Sequence, residues 1–156
     1  MREKVLGFPV DILSKEETFA LVSRWLNAEL SKPKHIATAY SEFYVNALRD
    51  KEFGEILTKA DLVTPDGNSV LAAVEYGKKI QKLKNSKTQN VVNIFFEGLS
   101  VGGRIFKNDL GETVTGVWLF EKITSEASSH NWKIFLLGGW DNLSGEVAVM
   151  LRERFP

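Results

Sequence analysis

Apolar and polar residues alternate along the chain in short blocks, and these blocks predict strands and helices in turn. Ser14 and Glu17 form a capping-box pattern that predicts the start of a helix. The apolar residues of that helix recur at helical spacing and are Phe19, Val22, Trp25, Leu26 and Leu30. Apolar runs predict buried strands at 35–39, 62–64 and 132–137, the last being the strongest in the chain. Helices are predicted at 41–48, 52–59, 68–76, 117–129 and 143–155.

Two stretches interrupt this alternation. Residues 5–13 predict a short edge strand or a bulged pair, because Gly7 and Pro9 break the apolar run. Residues 78–112 predict an insertion or a mobile excursion, either a hairpin or a helix with a mobile loop, and we expect the preceding helix to end at Gly77. The lysine-rich start of this excursion is interpreted as a solvated surface, with contact to lipid headgroups as the alternative.

Strands that alternate with helices predict an α/β fold. We expect a Rossmann-like sandwich, with a mainly parallel sheet and helices on both faces, formed as a single domain over residues 1–156. Right-handed crossovers would bring three strand ends, at Thr38, Asp66 and Gly138, to the same edge of the sheet. A single cleft is therefore predicted at that edge.

The stretch from 60 to 69 is the centre of this prediction, because a strand, a turn and a helix follow one another there. Pro65 cannot donate to a sheet ladder, so the strand is expected to stop at it. Gly67 allows the backbone to turn sharply. The carboxylate of Asp66 then either caps the next helix or faces the cleft.

Composition excludes several kinds of site. The 20 basic and 20 acidic residues cancel, so no overall field favours nucleic acid or an anionic membrane surface. Without cysteine the chain has no disulfide, thiolate nucleophile or cysteine-bound zinc, and its two histidines, His35 and His130, are interpreted as incidental. No acidic pair spaced for Mg²⁺ stands out, so no metal is expected. The sequence shows neither a signal peptide nor an apolar run of about 20 residues, which predicts a cytoplasmic protein.

Four motifs in a fixed order carry a resemblance to a known family. They are Thr38-Ala39, Pro65-Asp66-Gly67, Val114-Thr115-Gly116 and the run from Phe135 to Gly139. Together with the opening from Leu6 to Asp11 and the block from Leu57 to Gly67, they resemble the bacterial TagA/WecG/CpsF glycosyltransferases.

The resemblance implies an inverting glycosyltransferase of cell-surface polysaccharide or teichoic acid synthesis. Such an enzyme would move an N-acetylhexosamine-type sugar from a UDP-sugar donor to a polyprenyl-diphosphate-linked sugar acceptor at the membrane surface. The resemblance further implies attachment to the inner face of the cell membrane, no cofactor, no nucleic acid partner and a capacity to form homo-oligomers. Asp66 would be the catalytic base, and the substrate-binding residues would be Thr38, Tyr40, Gly67, Asn68, Thr115, Gly116, Gly138 and Gly139.

Each of these residues also has a structural interpretation. Asp66 can be a helix cap, Thr38 an ordinary strand residue, and Gly138-Gly139 a tight turn. The aromatic residues near these motifs can be packing residues instead of a platform for uracil; they are Tyr40, Trp118 and Trp140.

The chain departs from the family pattern at three positions. Tyr40 replaces an asparagine, Thr113 replaces an arginine that would pair with the donor diphosphate, and Trp118 replaces an acidic residue. The missing cation could be supplied from the excursion by Lys82, Lys84 or Arg104. The chain also stops at Pro156, before a further strand and C-terminal segment of the family, so we expect a pocket open on one side. Two alternatives therefore remain: a relative that binds nucleotide or a partner without turnover, and an α/β binding module in which Pro-Asp-Gly is purely structural.

Overall fold

The computed structural model describes residues 1–29, 31–84, 91–107 and 109–155. Within these residues four strands and seven helices form a mixed α/β structure. The strands are β1 (Arg2–Val5), β2 (Phe8–Asp11), β3 (Ile36–Ala39) and β4 (Leu62–Pro65). The helices are α1 (Lys15–Leu26), α2 (Ser41–Arg49), α3 (Lys51–Lys59), α4 (Asn68–Lys84), α5 (Val91–Phe106), α6 (Gly116–His130) and α7 (Leu143–Arg154).

The interrupted stretch near the start of the chain is a β-hairpin. Strand β1 pairs antiparallel with β2, and Lys4 lies opposite Pro9. Leu6 and Gly7, at φ 52° and 93°, form the turn, and two consecutive positive φ angles match the right-handed twist of a tight hairpin. The break predicted at Gly7 is therefore the turn between two regularly paired strands.

Strands β3 and β4 form a parallel pair in which Thr38 lies opposite Thr64. All four residues of β4 are buried. On the side of β4 away from β3, the Val63 N–H donates to Oδ2 of Asp11 at 2.8 Å. Since backbone groups alternate in direction along a strand, Pro65 occupies a position on the same side as Val63, where its missing N–H leaves no gap in the pairing with β3.

Helices cover both faces of the parallel pair, as predicted. On one face Ala37 and Val63 belong to a buried cluster with residues of the hairpin and of α2, α3 and α4, including the fully buried Tyr44. On the other face Leu62 packs with Val22 of α1 and Leu119 of α6. Alternate strand residues thus enter opposite layers, which is the period of two expected of a strand buried on both faces.

The predicted full sheet is wrong for the described residues, because β3 and β4 are the only strands paired in parallel there. The run 132–137, predicted as the strongest strand, pairs with neither of them, and its side chains at Phe135 and Leu137 are 86% and 91% exposed. The run has the apolar composition of a strand, but it has no free edge of β4 to pair with. The edge of β4 away from β3 is already hydrogen-bonded to Asp11 and Val114.

Other boundaries also differ from the predictions. Helix α4 does not end at Gly77 but continues to Lys84, because its last turns pack against α5. The excursion at 78–112 is therefore largely helical, with residues 85–90 and 108 outside the described part of the chain. Helix α1 ends at Leu26, and Leu30, which was predicted on its apolar face, also lies outside the described residues. None of the described helices has the length and hydrophobicity needed to cross a membrane.

Candidate functional site

Asp66 lies at the junction of three elements. It follows β4 directly, and its backbone N–H donates to the Ala39 carbonyl at the end of β3, at 2.9 Å. Its Oδ2 accepts the N–H of Gly116, the first residue of α6, at 3.1 Å. The half-buried carboxylate is thus held between the ends of the two parallel strands and the beginning of α6.

Of the two roles that the sequence left open for the Asp66 carboxylate, the structure shows that of a helix cap. Asp66 does cap a helix, but this helix is α6, fifty residues further along, and not α4, which follows it directly. Among the hydrogen bonds of the described residues, the Asp66 carboxylate uses Oδ2 and not Oδ1. Because one oxygen is anchored by a backbone N–H, the orientation of the other is fixed as well.

The segment before α6 runs along the end of β4. The Val114 N–H donates to the Pro65 carbonyl at 3.0 Å, and the buried hydroxyl of Thr64 donates to the Val114 carbonyl at 2.9 Å. Thr115 is the N-cap of α6, and its hydroxyl accepts the N–H of Trp118 at 3.2 Å. The predicted Thr115 and Gly116 are therefore placed beside Asp66.

Thr38 completes this group of residues. A Cβ added at Gly116 would lie 2.9 Å from Oγ1 of Thr38, which is closer than side chains tolerate. Gly116 therefore allows α6 to begin against the side chain of Thr38. The structure brings together Thr38, Asp66 and Gly116, three residues that are far apart in the sequence.

Tyr40, Gly67 and Asn68 occupy the two strand-to-helix turns at the same edge. Tyr40 follows β3, is exposed, and meets the ring of Phe43 edge-on with 4.9 Å between centroids. Gly67 has φ 147°, a conformation that favours glycine, and Asn68 is the first residue of α4. These three predicted residues thus border the set formed by Thr38, Asp66 and Gly116, which we call the Asp66 group. Tyr40 is already in contact with another aromatic ring.

Gly138 and Gly139 are not brought into this group. Both have positive φ, 99° and 95°, and the atoms closest to a Cβ at Gly139 belong to Leu143 in the first turn of α7. The segment that precedes them is not a strand, so the prediction that three strand ends share one edge is wrong for Gly138. The two glycines form the turn into α7, as their structural interpretation proposed.

The cations predicted to replace the missing arginine differ in availability. Arg104 donates to Glu75 at 2.8 Å and to the Asp109 carbonyl at 2.6 Å, so it is already paired. Lys82 is exposed, and the side chain of Lys84 lies outside the described residues. Trp118, at the position of the family's acidic residue, has the ammonium of Lys15 5.6 Å from its ring centroid. Within the described residues, no group of three histidine or acidic side chains is arranged to hold a metal ion.

A cleft of about 360 Å³ opens beside the first turns of α2 and α4. Four of its lining residues carry a hydroxyl group, Ser41 and Ser69 in those first turns and Tyr44 and Tyr76 on the same two helices, while the rest of the lining is mostly apolar. The Tyr44 hydroxyl itself is buried and donates to the Pro9 carbonyl at 3.4 Å. Burial, reinforced by the charge of Asp11, raises the pKa of the Tyr44 phenol, which therefore stays neutral. A cleft was predicted at the strand ends, but none of the predicted site residues is among those that line this one. Its only local signal was a serine in the first turn of each of the two helices that follow the parallel strands.

The carboxyl ends of the parallel strand pair thus carry a fixed carboxylate and the N-termini of two helices, within a mixed α/β structure. Strand ends of this kind are where α/β proteins commonly bind ligands. The model of the glycosyl transferase WecG/TagA/CpsF family matches residues 3–97. This chain therefore belongs to that family. No curated protein matches the chain significantly.

Family membership makes this a glycosyltransferase-family protein and implies glycosyl transfer in the synthesis of a cell-surface polymer, with a sugar donor and an acceptor as substrates. The resemblance noted in the sequence is confirmed. The matched residues contain five of the predicted site residues, which are Thr38, Tyr40, Asp66, Gly67 and Asn68. Thr115, Gly116, Gly138 and Gly139 lie beyond the matched residues.

Proposed function

We propose that this protein transfers an N-acetylhexosamine-type sugar from a UDP donor to a lipid-diphosphate-linked acceptor, with inversion at the anomeric carbon. The product would enter a cell-surface polysaccharide or teichoic acid. The observation that carries this proposal is the Asp66 carboxylate, fixed at the end of β4 by Gly116 and adjacent to the beginning of α4.

Asp66 is the general base of the proposed reaction. An acceptor hydroxyl oxygen attacks the anomeric carbon of the donor sugar and forms the new glycosidic bond. The bond from that carbon to the β-phosphate oxygen breaks, and UDP leaves with the bonding electrons. The hydroxyl proton passes to Oδ1 of Asp66, while the Gly116 N–H holds Oδ2 in place. A base positioned in this way contributes roughly 10²–10⁴-fold to such a step.

The N-terminus of α4 is the proposed contact for the departing diphosphate. The first N–H groups of a helix carry a partial positive charge that favours anions. Helix α4 begins at Asn68, two residues after the base, and Gly67 has no side chain to obstruct an approaching phosphate. This arrangement would stabilise the leaving group without the arginine that Thr113 replaces.

The cleft beside α2 and α4 is the proposed site for the acceptor sugar. Its volume lies within the range of small-molecule sites, which is roughly 300–1,000 Å³. Hydroxyl groups such as those of Ser41 and Ser69 suit a sugar, since each can both donate and accept hydrogen bonds. Ser69 is only three residues from Asp66, so an acceptor in this cleft would lie close to the base.

The test of this proposal is the substitution Asp66→Asn, which keeps the shape of the side chain and removes its basicity. We expect the rate of transfer from UDP-N-acetylmannosamine to a lipid-linked N-acetylglucosamine analogue to fall by about 10²–10⁴-fold. UDP binding, measured by calorimetry, should persist because the first turn of α4 is unchanged. Asp61→Asn, at the other end of β4, is the matched control and should keep its rate. Full activity in Asp66→Asn would refute the role of Asp66 as base.

Two observations favour a second function, nucleotide binding without turnover. Arg104 is held in pairs with Glu75 and Asp109, and Thr113 replaces the arginine of the family. If this second function is correct, the wild-type protein will bind UDP in calorimetry but transfer no sugar to the lipid-linked acceptor analogue. A protein that binds neither UDP nor UDP-N-acetylmannosamine would contradict both functions.

A further inference from the structure

Helix α5 has its polar and apolar sides arranged opposite to those of an ordinary surface helix. Its polar residues face α4: Glu97 pairs with Lys79 at 2.6 Å, and Arg104 pairs with Glu75 at 2.8 Å. Val101, on the same side, is buried. The larger apolar residues instead face solvent.

These exposed residues form one continuous stripe. They are Phe95, Phe96, Leu99 and Phe106, with Gly103 between the last two. At 3.6 residues per turn they fall within an arc of roughly 100° on the side opposite Glu97 and Val101. A stripe of this width is normally the buried face of a helix, and here it is exposed.

The net charge of the chain around this stripe indicates the kind of partner that fits it. Residues 78–107 contain seven lysine or arginine residues and one acidic residue, a net charge of +6 in a chain whose total charge is zero. Lys82 and Lys107 are exposed, and no ion pair among the described residues includes either of them. The antiparallel contacts of α4 with α5 place Lys82 near the first turns of α5, while Lys107 follows its last residue.

We propose that α5 docks on an anionic lipid bilayer, with its phenylalanine and leucine stripe in the acyl boundary and the surrounding lysines at the headgroups. Sixteen residues of helix span about 24 Å, less than the roughly 30 Å hydrocarbon core, so α5 lies in the plane of the interface. The pairing of its polar side with α4 leaves the apolar side available to lipid without any change in the fold. This surface is separate from the Asp66 group and does not depend on the proposed chemistry there.

Vesicle binding without any UDP-sugar tests the docking surface directly. We expect the wild-type protein to sediment with vesicles that contain phosphatidylglycerol and much less with vesicles of phosphatidylcholine alone. Binding should weaken as salt is raised, because anionic lipids attract lysines through a screened field. Lys82→Gln and Lys107→Gln should each lower the partition coefficient by about fivefold. Equal binding to both kinds of vesicle, or binding to neither, would overturn the proposal.

The variant Phe96→Ser/Leu99→Ser tests the apolar stripe, and its matched control is Leu48→Ser/Ile56→Ser on α2 and α3. The exposed fractions are 61% and 56% for the first pair and 61% and 49% for the second, so neither variant opens the core. We expect the α5 variant to lose about tenfold or more in partitioning while the control binds normally. An equal loss in both would overturn the proposal.

The same α5 variant separates a lipid surface from an interface between two copies of the chain. Sedimentation velocity without lipid should show the same oligomeric state for the wild type and for Phe96→Ser/Leu99→Ser. If the variant instead abolished self-association and the wild type ignored vesicles, the stripe would be a contact between copies and the bilayer proposal would be wrong. Neither result changes the Asp66→Asn test, so failure of one proposal is distinguishable from failure of the other.

Discussion

At the residue scale, the end of β4 depends on Gly116, which serves two neighbours at once. Its N–H orients the Asp66 carboxylate, and its missing side chain leaves room for Thr38. A residue with a side chain at this position could keep the hydrogen bond only by moving away from Thr38. The carboxylate position and the packing of the strand end are therefore coupled through a single glycine.

Gly116→Ala should destabilise the fold by about 1–3 kcal/mol, because the new methyl group would lie 2.9 Å from Oγ1 of Thr38. The measurement is urea unfolding at a single temperature. In a Thr38→Ala background the same substitution should cost much less, since the two closest side-chain obstacles, Oγ1 and Cγ2, are absent.

Gly77→Ala is the control for the helical preference of alanine itself. Gly77 lies inside α4 with open space where a Cβ would stand, so this change should stabilise the protein by about 0.5–1 kcal/mol. A stabilising effect of Gly116→Ala equal to that of Gly77→Ala would show that Thr38 does not restrict the start of α6.

The sequence was informative about single residues where local chemistry limits the choices. Asp66 and Gly67 stand at a strand-to-helix turn that the Pro-Asp-Gly motif predicts, and Gly67 has the positive φ that only glycine adopts readily. The helix that Asp66 caps could not be predicted, because its partner Gly116 is fifty residues away and no pattern in the sequence couples the two. The lining of the cleft beside α2 and α4 was not predicted for the same reason, since α4 and the hairpin both contribute to it.

At the element scale, α1 and α7 show how far a helix depends on its N-terminus. In α1 the Ser14 hydroxyl accepts the Glu17 N–H at 3.1 Å, and the Glu17 carboxylate accepts the Ser14 N–H at 2.8 Å. The N-cap residue of α7, Asn142, makes no side-chain capping bond, and α7 has no buried residue among those described. Of these two helices, only α1 has both a capped N-terminus and a face in the core, where Val22 is buried.

Ser14→Ala should destabilise the protein by about 1 kcal/mol, because the Glu17 N–H loses its acceptor. Asn142→Ala, at the corresponding position of α7, should change stability by less than about 0.5 kcal/mol, since its side chain makes no capping bond. Guanidinium unfolding of the two variants and the wild type measures both values. Equal losses would mean that α7 contributes to global stability as much as α1 does.

The same contrast explains which elements the sequence predicted well. The capping box of α1 was correct because its two hydrogen bonds are local. The end predicted for α4 at Gly77 was wrong, because the turns beyond Gly77 pack against α5, where Lys79 pairs with Glu97, and glycine alone does not end a helix. The strand predicted at 132–137 had the apolar composition of a buried strand, but a strand exists only when a neighbouring edge offers unpaired backbone groups.

At the scale of the whole molecule, stability is concentrated around the parallel pair. Strand β4 contributes to the buried cluster on each face, through Val63 on one side and Leu62 on the other. The C-terminal part of the chain adds much less: α7 has no buried residue, and the run before it exposes Phe135 and Leu137. The two predicted layers of helices were therefore found, but around two parallel strands and not around a wide sheet.

Amide hydrogen exchange should show this inequality directly. The backbone N–H groups of residues 62–64 should exchange only through global unfolding, at least about a thousandfold more slowly than those of residues 133–139, which have no hydrogen-bond partner within the described part of the chain. The measurement is mass spectrometry of peptides from the folded protein, with the exposed turn at Leu6-Gly7 as an internal reference for fast exchange. Protection of 133–139 equal to that of β4 would mean that this run is a paired strand in solution. Gly138 would then lie at the sheet edge beside Asp66, as the sequence predicted. The diphosphate of the proposed UDP-sugar donor would then have a second glycine turn to bind at that edge.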